Sequence, residues 1–404
     1  MSSVRPARGT RPANRRALIL GAATELFAAR GYENVNMADV AAEVAVGPSA
    51  LYRHFRGKES LLEAVLEAAG DSLRSAARAD GDDLAATVRA LSSAALDNRS
   101  LGVLWQREAR HLPTADHIDR IFDDVRDQLG RCITDARPTT TPQEGRYLAA
   151  AVLGILLSPS FHRAEIERAD FEDLLTEVAM RVVESSPPDG TTAPLAAPEG
   201  PAPVGRTVRR EVVLRAALDL FAQATYASVS MDDIAAAAGM ATSSVYHHFP
   251  SKVDLLSIAL NRGNGYLQLS LDRTLYAATD QRAALQELIA SYCRFAFAHP
   301  AVVDLLITEA RHLPSADGVA LTQSQRDYVQ EWVHLYRAVN PGVTATEATI
   351  VVQGVLMLMN DLARLPELRF RPGAEAYVRG LATSALLGAQ SSSGGSAIGS
   401  PAGE

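Results

Sequence analysis

Apolar residues return every three to four positions along most of the chain, the period of helices that bury one face. Leu18, Ala22, Ala23, Leu26 and Phe27 mark such a face over 14–30. Val212, Ala216, Ala217, Leu220 and Phe221 mark it again over 207–223. Two short helical patterns follow each of these, 37–44 and 48–55 in the first half, 231–238 and 242–249 in the second. Asn36 and Ser230 stand as N-caps, with Asp39 and Asp233 three residues on, an aspartate form of the capping box. Between the short helices Gly239 suits a left-handed turn, whereas Ala45 takes the matching place at a steric cost. Pro48 falls in a first helical turn, where its missing N–H is harmless. Helices this short need tertiary support, and the long helix ahead of them supplies it.

Longer amphipathic patterns follow. They span 59–79, 82–97, 115–137, 143–157 and 171–184, then 253–277, 282–298, 316–339, 345–365 and 373–387. The stretches around 148–157 and 350–359 are apolar nearly all round, so each must be buried on both sides. Gly154 and Gly354 match within them and allow helices to approach closely. The fold class expected is all-α.

The two halves are copies of one module. Between 32–62 and 226–256, at an offset of 194, 13 of 31 paired positions are identical. Outside that block, Glu108-Ala-Arg-His-Leu-Pro113 recurs unchanged as Glu309-Ala-Arg-His-Leu-Pro314. Repetition of this quality sets the architecture before any single residue is weighed.

Each module reads as a helix-turn-helix. Basic residues precede a helix ending Leu26-Phe27, then comes Tyr32, then a motif closing on Leu51-Tyr52-x-His54-Phe55-x-x-Lys58-x-x-Leu61-Leu62. The second copy closes on Tyr246-x-His248-Phe249-x-x-Lys252-x-x-Leu255-Leu256. This pattern resembles the TetR family of bacterial transcriptional regulators, over about 50 residues in each copy. The resemblance implies a three-helix DNA-binding head on an all-helical body that binds an inducer and dimerises. It also implies that Tyr52 and Tyr246 reach phosphate through their hydroxyls, and that the last two helices of each body form a four-helix bundle. Two departures stand out: Gly47 and Ala241 replace the usual Ser or Thr ahead of the second helix, and the family normally carries one copy per chain.

The net charge of −8 over 404 residues is unusual for a DNA binder until it is localised. Residues 1–60 hold nine Arg or Lys against five Asp or Glu, and 206–252 hold five against four, so the acidity lies in the bodies. Only two lysines occur, Lys58 and Lys252, at equivalent helix starts, where free N–H groups already favour anions. They are expected to clamp phosphate. Arg15, Arg16, Arg209 and Arg210 are placed near flanking phosphates, and the arm 1–11, with Arg5, Arg8 and Arg11, touches backbone or minor groove or is simply solvated. Pro48, Ser49 and Arg53 face the major groove in copy one; Thr242, Ser243 and His247 do so in copy two. Arg53 can bond guanine through two hydrogen bonds, and His247 is a different reader, so the heads should prefer unlike half-sites. His54 and His248 either join the phosphate contacts or pack against a helix end.

For the repeated Glu-Ala-Arg-His segments two readings stay open. Proline ends the helix there, and Glu108, Arg110, His111, Glu309, Arg311 and His312 either cap and pair locally or point into a ligand cavity. Trp105, Arg107, Phe122, Tyr292, Phe295, Phe297, Tyr328 and Trp332 are candidate pocket linings or ordinary core. The Glu-x-x-His spacing also fits a di-iron bundle, but that site needs glutamates on facing helices, which 149–157 and 350–359 lack. No metal or cofactor is therefore expected. Two cysteines suggest a reducing compartment, the longest apolar runs are about half a membrane span, and the N-terminus has no signal-peptide pattern, so a cytoplasmic protein is expected.

The domain order expected is arm 1–11, head 12–57, body 58–185, linker 186–205, head 206–251, body 252–389 and tail 390–404. The Pro/Gly-rich linker reaches about 60 Å at about 3.1 Å per residue. Tethering lets the second copy take the place of a partner subunit. The reading is a repressor of double-stranded operator DNA, released by a small-molecule inducer, with one chain as a pseudo-dimer. A homodimer with four heads and a metal-dependent enzyme on a helical bundle are the alternatives.

Overall fold

The computed structural model describes residues 15–78, 83–185 and 207–388, without the side chain of His111. The arm 1–11, the linker 186–205 and the tail 390–404 lie outside the described residues. Among those described, every regular element is helical.

The first copy comprises α1 (Arg15–Arg30), α2 (Met37–Glu43), α3 (Pro48–Leu51), α4 (Lys58–Ala76), α5 (Leu84–Asp97), α6 (Leu101–Val103), α7 (Ala115–Ala136), α8 (Pro142–Leu157) and α9 (Arg168–Glu184). The second comprises α10 (Arg209–Gln223), α11 (Met231–Ala237), α12 (Thr242–His248), α13 (Lys252–Ala277), α14 (Gln281–Ala298), α15 (Pro300–Thr308), α16 (Ser315–Val339), α17 (Ala345–Arg364), α18 (Pro366–Arg369) and α19 (Ala374–Leu387).

Local chemistry accounts for the heads. In α2 the Asp39 amide donates to Asn36 Oδ1 at 3.0 Å and the Asn36 amide donates to Asp39 Oδ2 at 2.8 Å, closing the box. Ser230 and Asp233 do the same for α11, at 3.1 and 2.8 Å. The turn that follows is left-handed in both copies, with φ of +53° at Ala45 and +65° at Gly239. The expected seam is buried at Ala23, Leu26 and Phe27 and at Ala217 and Phe221, but its first position falls one residue later. Ile19 and Val213 are fully enclosed while Leu18 and Val212 are half-buried. Helical side chains lean toward the N-terminus, so a given patch is covered by the next residue along.

The repeated Glu-Ala-Arg-His segments do not close plain helices. In copy one α6 runs into a widened π turn at Leu104–Glu108 and a 3-10 turn at Ala109–His111. In copy two α15 ends in a 3-10 turn at Ala310–His312. Pro113 and Pro314 offer no N–H to the carbonyls before them, and a tightened last turn satisfies those carbonyls instead.

The bodies meet through α8 against α17 and α9 against α19. Glycine makes the first crossing possible: a Cβ on Gly154 would stand 3.2 Å from Leu358 Cα, and one on Gly354 3.3 Å from Ile155 Cγ2. The Tyr147 hydroxyl of α8 donates to the Glu367 carbonyl at 2.7 Å across the same surface. One continuous apolar core joins the first head to both bodies. The second head has its own core, built on Val213, Phe221, Ile234, Val245 and Phe249 and closed from below by Leu305, Leu313 and Leu321.

Candidate nucleic-acid interface

In each head the second helix of the motif is anchored by one inward residue, Leu51 or Val245, both fully buried, and sealed by Phe55 or Phe249. That anchoring turns the other positions outward. Pro48, Ser49, Arg53 and His54 are exposed in copy one, and Ser243 and His247 in copy two. Tyr52 and Tyr246 keep 54% and 51% of their surface open, too much for core residues, so their hydroxyls are available to a ligand. Arg16 and Arg210 lie over the sealing rings of Phe55 and Phe249, at 5.5 and 4.6 Å from the centroids. Arg209 is exposed and Arg15 half-buried.

Three residues have a duty different from the one their position suggests. The Thr242 hydroxyl donates to Asp232 at 2.6 Å, tying α12 to α11. Lys58 donates to the Tyr32 carbonyl at 2.8 Å and sits 4.1 Å from the centre of its ring. Lys252 spends its donors on the carbonyls of Tyr226, Ala227 and Val229 at 2.6, 3.2 and 2.8 Å, beneath the ring of Tyr226. Both ammonium groups are turned inward, against the loop that follows the first helix, and burial holds both pKa values below the usual lysine range. The expected phosphate clamp is thus a brace. The shared signal was there to find, since Tyr and Lys recur 26 residues apart in both copies.

The outward face is therefore a short helix carrying hydroxyls, an arginine or imidazoles, and exposed tyrosines, flanked by arginines at the start of the first helix. A model of bacterial regulatory proteins of the tetR family matches residues 19–65 and, separately, 213–257. The chain carries two tandem copies of the TetR-family DNA-binding domain, as a two-copy TetR-like transcriptional regulator would. The transcriptional repressor KstR2 of Rhodococcus jostii is 26% identical over 176 residues, 43% of this chain and 85% of that protein. The transcriptional activator FasR of Mycolicibacterium smegmatis is 26% identical over 159 residues, 39% of this chain and 72% of that protein. A crystal structure of a TetR-family regulator from Bordetella parapertussis aligns with 45% of this chain and 95% of its own, at a TM-score of 0.41 and 19% identity.

The candidate pocket residues of this TetR-like chain fall into two groups, aromatic and charged. Trp105 stacks on Phe122 at 3.8 Å and donates to Asp119 at 3.0 Å. Tyr292, Tyr328 and Trp332 form a closed cluster with centroids 5.9–6.4 Å apart, and the Tyr292 hydroxyl donates to Asn360 at 2.8 Å. Phe122, Tyr292, Tyr328 and Trp332 are buried in the core with Phe295, and Trp105 and Phe297 pack against it half-buried.

The charged residues meet across the two copies. Arg311 of the second grips Glu108 of the first at 2.5 Å, and Arg110 of the first reaches Glu309 of the second at 3.4 Å. Glu108 also accepts the Tyr32 amide at 2.8 Å, so the pair stands at the foot of the first head. Burial opposes ionisation of Glu309, but His312 at 3.2 Å and Arg110 together hold its carboxyl below the usual range. His312 in turn stacks on Tyr226, 5.0 Å between centroids, at the foot of the second head. Arg107 donates to the Ile307 carbonyl across the same junction at 2.6 Å.

Sequence reasoning missed the rest of this network. Arg364 at the end of α17 donates to Asp304 at 2.8 Å, to Asp361 at 2.5 Å and to Gln106 of the other copy at 3.1 Å. Asp304 also receives Arg110 at 3.1 Å. The glutamates of both Glu-x-x-His segments are thus engaged by arginines, unlike a ligand set. Among the described residues no helix is long and apolar enough to cross a membrane.

Proposed function

We propose that one chain acts as a repressor, setting its two unlike heads on an imperfect palindrome, and that a small molecule releases it from the operator. The reciprocal junction carries this reading: Glu108–Arg311 and Arg110–Glu309 exchange the same repeated segment over the α8–α17 crossing, as twofold partners do. With that surface occupied within the chain, the second copy takes the place of a second subunit. Arg53 would read guanine in one half-site, and His247 would read a different base in the other. Release requires a ligand that prefers the conformation whose head spacing no longer matches the duplex.

Sedimentation of the free protein beside a footprint on the adjacent intergenic DNA tests the assembly. A 43.1 kDa species that protects one asymmetric site is expected. A dimer protecting a site with four head contacts would replace the intramolecular arrangement by the homodimer. Arg53→Ala is expected to relax base preference in one half-site only. An equal loss at every position would remove Arg53 from the groove.

A further inference from the structure

A cleft of about 300 Å³ opens between the second head and the body beneath it. Arg215, Asp219 and Ala222 of α10 form the head-side wall, and Asp304, Arg364 and Arg369 stand on the body side. The cleft follows the seam between the two apolar cores, where Leu218 and Leu306 touch both.

Most of its charges are already matched. Arg215 reaches Asp219 one turn on at 3.1 Å, and Asp304 holds both Arg364 and Arg110. Arg369 differs. Among the described residues its contact is the ring of Phe370, 5.1 Å away, with no ion pair. Burial disfavours its charge, and the neighbouring Arg215 disfavours it further against the pull of Asp219. Three arginines against two aspartates leave one positive charge unmatched, enough for a monoanion. The remaining wall sets an apolar strip of Ala222, Ala301 and Val302 beside the polar Gln223 and His299.

Two of these charged residues have no counterpart in copy one. Gly21 stands where Arg215 does at the head offset, and Val103 stands where Asp304 does at the offset of the repeated Glu-Ala-Arg-His block.

We propose that this cleft binds a small alkyl carboxylate, with its head group on Arg369 and its chain along Ala222, Ala301 and Val302. The occupant bridges α10 to the body and so fixes the second head alone. A guanidinium suits a carboxylate because two parallel hydrogen bonds form at once. Any consequence for DNA rests on the repressor reading above; binding does not.

Octanoate titrated calorimetrically into the full chain tests the site, with octan-1-ol as the uncharged probe. One octanoate per chain is expected, weakened about tenfold or more in Arg369→Gln and largely kept in Arg369→Lys. Ala222→Phe fills the cleft without altering a charge and should abolish binding, with thermal unfolding confirming that each variant is folded. No octanoate binding, octan-1-ol binding equally well, or binding unchanged in Arg369→Gln and Ala222→Phe overturns the site. A footprint with octanoate present is read separately. An altered contact confined to one half-site supports fixation of the second head, and an unchanged footprint overturns that part. A chain that protects no DNA sinks the repressor reading and leaves the calorimetry standing.

Discussion

Ala45 holds a left-handed backbone that its counterpart Gly239 adopts freely. A Cβ in that region costs roughly 1–2 kcal/mol. Ala45→Gly is therefore expected to raise stability in urea unfolding by about 1 kcal/mol, and Gly239→Ala to lower it by a similar amount. Equal midpoints for both variants and the parent would show that the turn carries no strain. The lysines behave as braces, which changes what their removal should do. Lys252→Met is expected to weaken binding to every sequence alike, by loosening the loop under the recognition helix, while the slope of log affinity against log salt stays constant. A slope smaller by about one contact would return Lys252 to a phosphate. His162 supplies a pH dependence. Burial, then the nearby Arg99, push its pKa from 6.5 down to about 4, and its Nδ1 accepts the Ala164 amide at 3.2 Å. The unfolded chain takes up this proton before the folded one does. The stability it supports is therefore complete above pH 6.5 and is lost progressively as pH falls toward 4. His162→Asn should flatten melting temperature against pH across that window, and a parallel curve would exclude the residue.

At the level of elements, the long helices were legible to within a few residues, because most bury one continuous face and α8 and α17 are apolar nearly all round. α16 and α17 were expected over 316–339 and 345–365 and run Ser315–Val339 and Ala345–Arg364. The segments that depart from the plain α period were not. The π turn at Leu104–Glu108 and the 3-10 turns after it keep helical composition and change only their hydrogen-bond partners, which no apolar pattern records. Of the two recognition helices, expected over 48–55 and 242–249, α12 runs Thr242–His248 but α3 stops at Leu51. The Gly154–Leu358 crossing gives this scale its own test. Gly154→Val would force backbone apart and is expected to cost about 1–3 kcal/mol, with both heads still folded. A variant as stable as the parent would mean that the crossing yields.

Across the whole molecule the decisive contacts join residues about 200 positions apart. Glu108 is almost wholly enclosed and binds both Arg311 of the other copy and the amide that begins the loop of its own head. A movement of one body against the other is therefore expected to reach the first head through this junction. In a double-mutant cycle on Glu108→Gln and Arg311→Met, a coupling on the order of 1–3 kcal/mol is expected. Additive losses would show that the two residues act separately. At the foot of the second head His312 stacks on Tyr226 and Leu313 joins that head's own core.

By itself the sequence determined the all-helical class, the duplication, the two reading motifs and their unlike side chains. Those follow from local spacing, caps and identity between copies, which require no knowledge of distant neighbours. Tertiary structure alone decided that the lysines face inward, that the aromatic stripes are core, and that the repeated Glu-Ala-Arg-His segments pair across the copies. A charge or a ring takes its role from what lies within a few ångströms of it, and here those neighbours come from parts of the chain that spacing cannot connect.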